Sequence, residues 1–322
     1  MKRMRLRISG FCLSALVTAV LLGACNASTA TNPVANPVAA WSGASGATSS
    51  QSLIYVANLG GDKVTAYGRD GKLALTITAG INGPFGVAAD ESGKAYVTNT
   101  SPYYPGGNVT SYTTDGKQTT PTITAGIDFP LGILVDKSGK IYVANLLGPT
   151  SSGSGSVTAY EPDGKQTTPT ITAGIAGPAG LAIDVSGKIY VTNTYNDSVT
   201  TYKPDGTQTT PTITAGLDYP IGIAVDANGK IYVANYFGGA RNAGSVTTYT
   251  ANGTPTAPTI TAGIEGAHGV AVDASGTIYV TNYQGPGNKG GFGSVTTYTA
   301  DGRRTTPTIT RQITLPCLIT LH

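Results

Sequence analysis

Pro220-Ile221-Gly222-Ile223-Ala224-Val225-Asp226-Ala227-Asn228-Gly229-Lys230-Ile231-Tyr232-Val233-Ala234-Asn235 decides the fold. Its two apolar runs are short, β-branched and aromatic, which suits strands rather than helices. Asp226 to Gly229 between them is a turn: Gly supplies φ > 0 and the Asp side chain bonds the turn backbone. The segment ending in Asn recurs at Asn58, Asn99, Asn145, Asn193, Asn235 and Asn282, with spacings of 41, 46, 48, 42 and 47 residues. From Tyr67, Tyr112, Tyr160, Tyr202 and Tyr249 to the next of these Asn the distance is 32, 33, 33, 33 and 33. All but one residue of the length variation therefore falls in the loop just after the Asn.

Each repeat carries two further strand signals, as at Ser245 to Tyr249 and Thr210 to Thr214, and Pro204-Asp205-Gly206 marks the turn between such a pair. Repeats of about 40–50 residues with four strands each are the mark of propeller blades. The fourth strand carries Pro121, Pro169, Pro211, Pro258 and Pro307. Proline suits an edge strand, where its missing N–H costs nothing and discourages pairing with another sheet. This places the fourth strand at the rim and the first at the central channel. Five first strands are evident, around Gly86, Gly132, Gly180, Gly222 and Gly269. Leu318 to His322 aligns as a sixth, with Leu318 in place of Gly. The expectation is an all-β, six-bladed β-propeller of four-stranded antiparallel blades, its first blade closed by the C-terminal strand. The alternative is a truncated larger propeller.

Tyr-Val-Thr-Asn at Tyr96, Tyr190 and Tyr279 resembles the bacterial YVTN propeller repeat, and the string from Pro220 to Val233 resembles the NHL repeat equally well. The resemblance covers about residues 53–322. It implies architecture more than activity, since the shared residues are the structural ones. Some propellers of similar repeat are lyases or lactonases that use a central His or a metal.

Residues 1–24 read as a signal peptide. Lys2, Arg3, Arg5 and Arg7 precede a mostly apolar stretch, Phe11 to Leu22, that is short for a membrane span. Leu22-Gly23-Ala24-Cys25 resembles a bacterial lipobox, which implies cleavage before Cys25 and lipidation of Cys25. Residues 25–52, rich in Ala, Ser, Thr, Asn, Pro and Gly, read as the acylated Cys and a flexible tether, with the propeller over 53–322. The expected location is the bacterial cell envelope, lipid-anchored and extracytoplasmic. Removing the signal peptide takes four of the 20 basic residues, leaving 16 against 17 acidic. Charged residues are only 11% of the chain, so no nucleic-acid surface is expected. Of three Cys, Cys12 is removed and Cys25 acylated, so Cys317 has no disulfide partner.

Strand direction gathers the loops after each Asn, and those between fourth and first strands, on one face. Residues that differ between blades on this face are the candidates for ligand binding: Tyr103, Tyr104, Phe129, Tyr195, Tyr219, Tyr236, Phe237, Tyr283 and Phe292. Tyr gives large contact area with a polar tip at little entropy cost, which suits glycan or protein contact. Packing against neighbouring loops is the plainer alternative. Asp128, Asp218 and Glu265 share one slot before the first strand; a ring of them would suit a divalent cation such as Ca²⁺, and solvated loop carboxylates are the plainer reading. His268 stands where other blades have Phe85, Leu131, Ala179 and Ile221, and with Glu265 would form an acid–base pair. The leading expectation is a non-enzymatic binding module, with an unidentified envelope protein or glycan as partner and no cofactor. The alternative is a metal-dependent hydrolase, lactonase or lyase at the channel mouth.

Overall fold

The computed structural model describes residues 52–100, 106–147, 154–238, 243–284 and 292–322. Six four-stranded antiparallel sheets make six blades. Blades 2 to 6 are contiguous in sequence, over residues 84–123, 130–171, 178–213, 220–260 and 267–309. Blade 1 takes its second, third and outer strands from Ile54–Asn58, Lys63–Tyr67 and Leu73–Ile77, and its inner strand from Pro316–Leu321. Ile54 pairs with Leu321 and Val56 with Ile319. Beyond them Leu53 N donates to His322 O at 2.7 Å, and His322 N to Leu53 O at 3.0 Å. The ring is closed at six blades by the C-terminal strand, so the truncated alternative falls.

The strand order in each blade is the one that proline at the rim implies. The outer prolines sit where the register with the third strand shifts, after cis peptide bonds. A hydroxyl of the third strand reaches the proline carbonyl there: Thr201 Oγ1 to Pro211 O at 2.5 Å, Thr248 Oγ1 to Pro258 O at 2.8 Å, and Thr297 Oγ1 to Pro307 O at 2.6 Å. The prolines also pack between blades. A methyl group on Gly206, which has φ +86, would lie 2.5 Å from Pro169 Cβ of the preceding blade. The Asp-Gly turns therefore need Gly twice over, for the left-handed backbone and for the packing.

Two tyrosines per blade have separate tasks. In blades 2 to 6 the second-strand Tyr donates to the Asp ending the inner strand of its own blade, as Tyr190 OH to Asp184 Oδ2 at 3.0 Å. The third-strand Tyr is no more than 1% exposed and crosses the seam between blades. Tyr112, Tyr160, Tyr202, Tyr249 and Tyr298 donate to the carbonyls of Ala79, Ala125, Ala173, Ala215 and Ala262 in the preceding blade at 2.7–2.9 Å. Tyr67 does the same to Arg311 O at 2.7 Å. The repeat Asn caps this system. Its Nδ2 donates to a third-strand Thr hydroxyl, and its Oδ1 accepts a backbone N–H of the loop leading into the inner strand. In blade 4, Asn193 Nδ2 reaches Thr200 Oγ1 at 2.9 Å and Oδ1 accepts Ala176 N at 3.0 Å.

The blades alternate. Blades 2, 4 and 6 carry Tyr-Val-Thr-Asn, and blades 1, 3 and 5 Tyr-Val-Ala-Asn. Each of the three Thr bonds the inner strand of the following blade: Thr98 Oγ1 to Leu131 O at 2.7 Å, Thr192 Oγ1 to Ile221 O at 2.7 Å, Thr281 Oγ1 to Cys317 O at 2.5 Å. Each also accepts the N–H of an inner-strand Gly in its own blade, at 2.7–2.8 Å. Ala57, Ala144 and Ala234 make no such bridge, so alternate seams carry an extra side-chain hydrogen bond. Inner-strand Gly makes the close approach feasible; a Cβ on Gly180 would sit 2.2 Å from Ile221 O.

Thr192→Ala should therefore loosen the seam between blades 4 and 5. It removes the bond to Ile221 O and strips the buried Gly180 N–H of its acceptor, a loss of about 1–3 kcal/mol. That corresponds to a fall in Tm of about 2–4 °C per kcal/mol for a domain of this size. Exposed Thr212→Ala, measured beside it by calorimetry, should change stability by less than about 0.5 kcal/mol.

Candidate functional site

The inner strands supply one side chain each, in the same register, at the channel end nearest the variable loops: Phe85, Leu131, Ala179, Ile221, His268 and Cys317. Five of the six are buried, and Phe85 is half-buried. Phe85 and His268 belong to blades 2 and 6, on either side of blade 1, yet their ring centroids are 6.0 Å apart. A cavity of about 350 Å³ is lined by the inner strands from their third residue onward, with Gly180, Gly222 and Gly269 beside Ala88, Leu134, Ala182 and Ala224.

His268 belongs to a connected group of aromatic rings from blades 5 and 6. His268 stacks on Tyr283, with centroids 4.3 Å apart and planes 18° apart. Tyr236 meets His268 edge-on at 5.2 Å and Phe237 at 4.9 Å. Tyr219 joins Phe237 at 5.4 Å. Gln284 Nε2 donates to Tyr236 OH at 3.2 Å. Such tilted and offset pairs are the favoured aromatic geometries. Burial raises the Tyr219 phenol, with smaller contributions from Tyr195, Tyr236 and Asp197. Burial also raises Tyr283, with smaller contributions from Cys317 and Tyr236. These phenols stay neutral.

The loop before each inner strand explains how these rings are aimed. The residue two places before the second residue of the strand takes a left-handed conformation in every blade, at Gly83, Phe129, Gly177, Tyr219, Gly266 and Leu315, with φ between 43 and 66°. Three are Gly, which adopts it freely; Phe129, Tyr219 and Leu315 adopt it at a cost. The Asn of the same blade holds the preceding residue, as Asn235 Oδ1 accepts Asp218 N at 3.2 Å. In blade 5, Asp197 Oδ1 of blade 4 also accepts Tyr219 N at 2.8 Å.

The expected ligand-binding residues divide by exposure. Tyr195 is 44% exposed and Phe292 70%. Tyr219, Tyr236 and Phe237 are half-buried. Phe129 and Tyr283 are inside, at 4% and 7%, and serve as packing beneath the surface. Tyr103 and Tyr104 lie outside the described residues, as do the signal peptide, Cys25 and the tether.

The acidic slot does not converge. Asp128, Asp218 and Glu265 lead into blades 3, 5 and 6, and the backbone N–H of each is held by its own blade's Asn at 3.0–3.2 Å. Among the described residues, no three His, Cys, Asp or Glu side chains gather to hold a metal ion. The donor set does not fit a metal there. Asp128 is instead partly withdrawn from water, and burial raises its carboxyl. The Asp that ends the inner strand in blades 2 to 6 makes a hairpin turn: Asp226 Oδ1 accepts Asn228 N and Lys230 N, both at 2.9 Å.

His268 is placed unlike an acid–base residue. Its Nδ1 is buried without a hydrogen-bond partner, and burial lowers its pKa to about 3. A base so weak does not suit proton transfer near neutral pH. The only signal that sequence offered for its role was its register with Phe85, Leu131, Ala179 and Ile221, all apolar.

A family model described as the SMP-30/gluconolactonase/LRE-like region matches residues 132–264, under half of the chain. No curated protein matches the chain. Among solved structures, a nidogen/laminin complex superposes with a TM-score of 0.62 at 20% identity, covering 84% of this chain and 98% of that one. A protein of unknown function from Bacteroides caccae gives 0.64 at 16% identity, covering 84% and 99%. Virginiamycin B lyase from Staphylococcus aureus gives 0.58 at 14% identity, covering 82% and 83%. At these identities the likeness is one of fold.

His268 makes stability depend on pH. Its folded pKa of about 3 lies below the unfolded value near 6.5, so the unfolded chain binds the proton first as pH falls. Its contribution is constant above about pH 6.5, and below that stability falls by about 1.4 kcal/mol per pH unit. His268→Phe should remove this part of the slope. Urea unfolding of both forms at pH 7, 5 and 4 checks it: the stability difference between them should shift toward the variant with each step down.

Proposed function

We propose that this protein is a non-enzymatic binding module of the bacterial envelope, anchored through Cys25 and engaging its ligand through the variable loop face. The observation that carries the reading is the connected aromatic group of Tyr219, Tyr236, Phe237, His268 and Tyr283. Repeated side chains of the blades are consumed by hydrogen bonds within and between blades. The aromatic group is made of residues that differ between blades, and three of its rings are half-exposed. The anchor reading rests on Leu22-Gly23-Ala24-Cys25. Photo-crosslinking in cells tests the loop-face reading. With p-benzoylphenylalanine in place of Phe237, irradiation should give a specific adduct. The same group in place of Val185, 72% exposed on an Asp turn of the opposite face, should not. Adducts at neither site, or equally at both, would refute it.

The match over residues 132–264 favours a second reading, hydrolysis of a lactone at the channel mouth. Glu265 and His268 would be its reactive pair. The buried, weakly basic imidazole and the dispersed carboxylates weigh against it. The check is hydrolysis of glucono-1,5-lactone followed by pH-stat with added Ca²⁺, Mn²⁺ or Zn²⁺. The expected outcome is the uncatalysed rate. A faster rate that Glu265→Gln abolishes would establish the second reading in place of the first.

A further inference from the structure

We infer that the ligand class is carbohydrate and that Tyr195, at the seam between blades 4 and 5, is its stacking platform. This rests on the loop-face reading above and deepens it.

Tyr195 follows the second strand of blade 4, and its N–H donates to Ala176 O at 3.1 Å. This bond and that of Thr194 N to Gly177 O at 2.9 Å lay the residue over Gly177. A Cβ on Gly177 would approach Tyr195 Cγ, Cδ2 and Cδ1 at 2.6, 2.7 and 2.8 Å. Near-equal distances to three ring atoms mean that the glycine lies under a ring face, not at its edge. One face is thus spread on backbone, and the side chain remains 44% exposed. The outward face of a phenol carries the negative side of its quadrupole. The C–H face of a pyranose, apolar and slightly positive, complements it.

The surroundings supply hydrogen bonding of the matching kind. Tyr219, brought in from the next blade, lies close enough for Tyr195 to contribute to raising its phenol, after burial. Tyr219 is held at φ 56°, where blades 2, 4 and 6 use Gly. Strained backbone of this sort persists where the surrounding structure fixes it, and it clusters at binding sites. Here two anchors fix it: Tyr236 N donates to Tyr219 O at 3.0 Å, and Asp197 Oδ1 accepts Tyr219 N. Asn196 and Asp197, the next two residues in the chain, are exposed polar groups that would offer partners to sugar hydroxyls. A flat ring face with hydrogen-bonding groups next to it matches the stacked C–H face and flanking hydroxyls of a pyranose, which is the ground for the sugar.

The test uses the full chain, whose single Trp is Trp41. In the Trp41→Phe/Tyr195→Trp variant the new indole is the only one and reports on the platform. Cellohexaose, chitohexaose and mannohexaose are titrated against it, and against the parent chain and Tyr195→Ala by calorimetry. The expected result is saturable binding of one hexasaccharide with a change in indole emission. Tyr195→Ala should weaken that binding tenfold or more with Tm unchanged, since the ring is exposed, and Tyr195→Phe should stay within threefold. Binding that survives Tyr195→Ala but is lost in Phe237→Ala would overturn the platform and leave the loop-face reading standing. Binding of none of the three sugars, with a crosslinked protein at Phe237, would overturn the carbohydrate class alone.

Discussion

The ring depends on one hydrogen-bonded chain, written six times: repeat Asn to third-strand Thr, Thr to third-strand Tyr, and Tyr to a carbonyl of the preceding blade. In blade 4 it runs from Asn193 through Thr200 and Tyr202 to Ala173 O, with steps of 2.7–2.9 Å. Every member is buried or nearly so, which makes each bond costly to lose and the set mutually reinforcing. The same Asn holds the loop into the inner strand. One side chain thus sets the spacing of the sheets and the aim of the residues that vary. A blade lacking it would lose its neighbour and its loop together.

Closure adds two devices to this common scheme. The C-terminal strand pairs with Ile54–Asn58, so the first and last segments of the propeller share a blade. Arg69, from the Asp-Gly turn of blade 1, reaches back to Asp273 of blade 6 and bonds Tyr279 OH at 3.1 Å. Its guanidinium lies 5.4 Å from the centroid of the Tyr279 ring. Other blades have Thr, Pro or Ala where Arg69 stands. Blade 1 needs more because its inner strand is not joined to its second strand by an Asp turn. The ion pair is only partly exposed and has a cation–π contact, so it is worth more than a free surface pair. The seam it crosses is also one of the three with a Thr bridge, Thr281 to Cys317 O.

Period and proline placement carried the architecture, because both report on backbone geometry that every blade must satisfy. Asn as the mark of a strand end was plain in the sequence; what its amide does was not, since its partners lie 7 to 17 residues away and, in blade 1, 256 residues away. The alternation of Thr and Ala before that Asn was equally visible. It meant nothing until the inner strand of the next blade was placed against it. His268 shows the same limit. Proximity to Glu265 in sequence suggested a reactive pair, whereas ring closure surrounds the imidazole with Phe85, Tyr236 and Tyr283. Two of these three lie on other blades, and no spacing argument reaches them. For the acidic slot, equivalence of position in a ring of blades does not by itself bring side chains together, and among the described residues no three His, Cys, Asp or Glu gather.

The division between fixed and free positions bears on what such a molecule can do. Asn, Thr, Tyr, Asp, Gly and Pro of the repeat are engaged in bonds or close contacts. Freedom remains at the one or two residues after Asn and at those before the inner strand. In blade 5 these are Tyr236, Phe237, Asp218 and Tyr219, and the main chain of both stretches is joined by hydrogen bonds from Tyr236 N to Tyr219 O and from Phe237 N to Asp218 O. Side chains can therefore change while their attachment points hold still. A ligand meeting them loses little to the ordering of loops, which is the main entropic obstacle to binding by a mobile surface. Catalysis would ask for more: a group of suitable basicity at the reacting atom. The buried side chains around His268 work against that by stripping water from its imidazole. Burial that unsuits His268 for proton transfer also packs Tyr283 and Tyr236 around it.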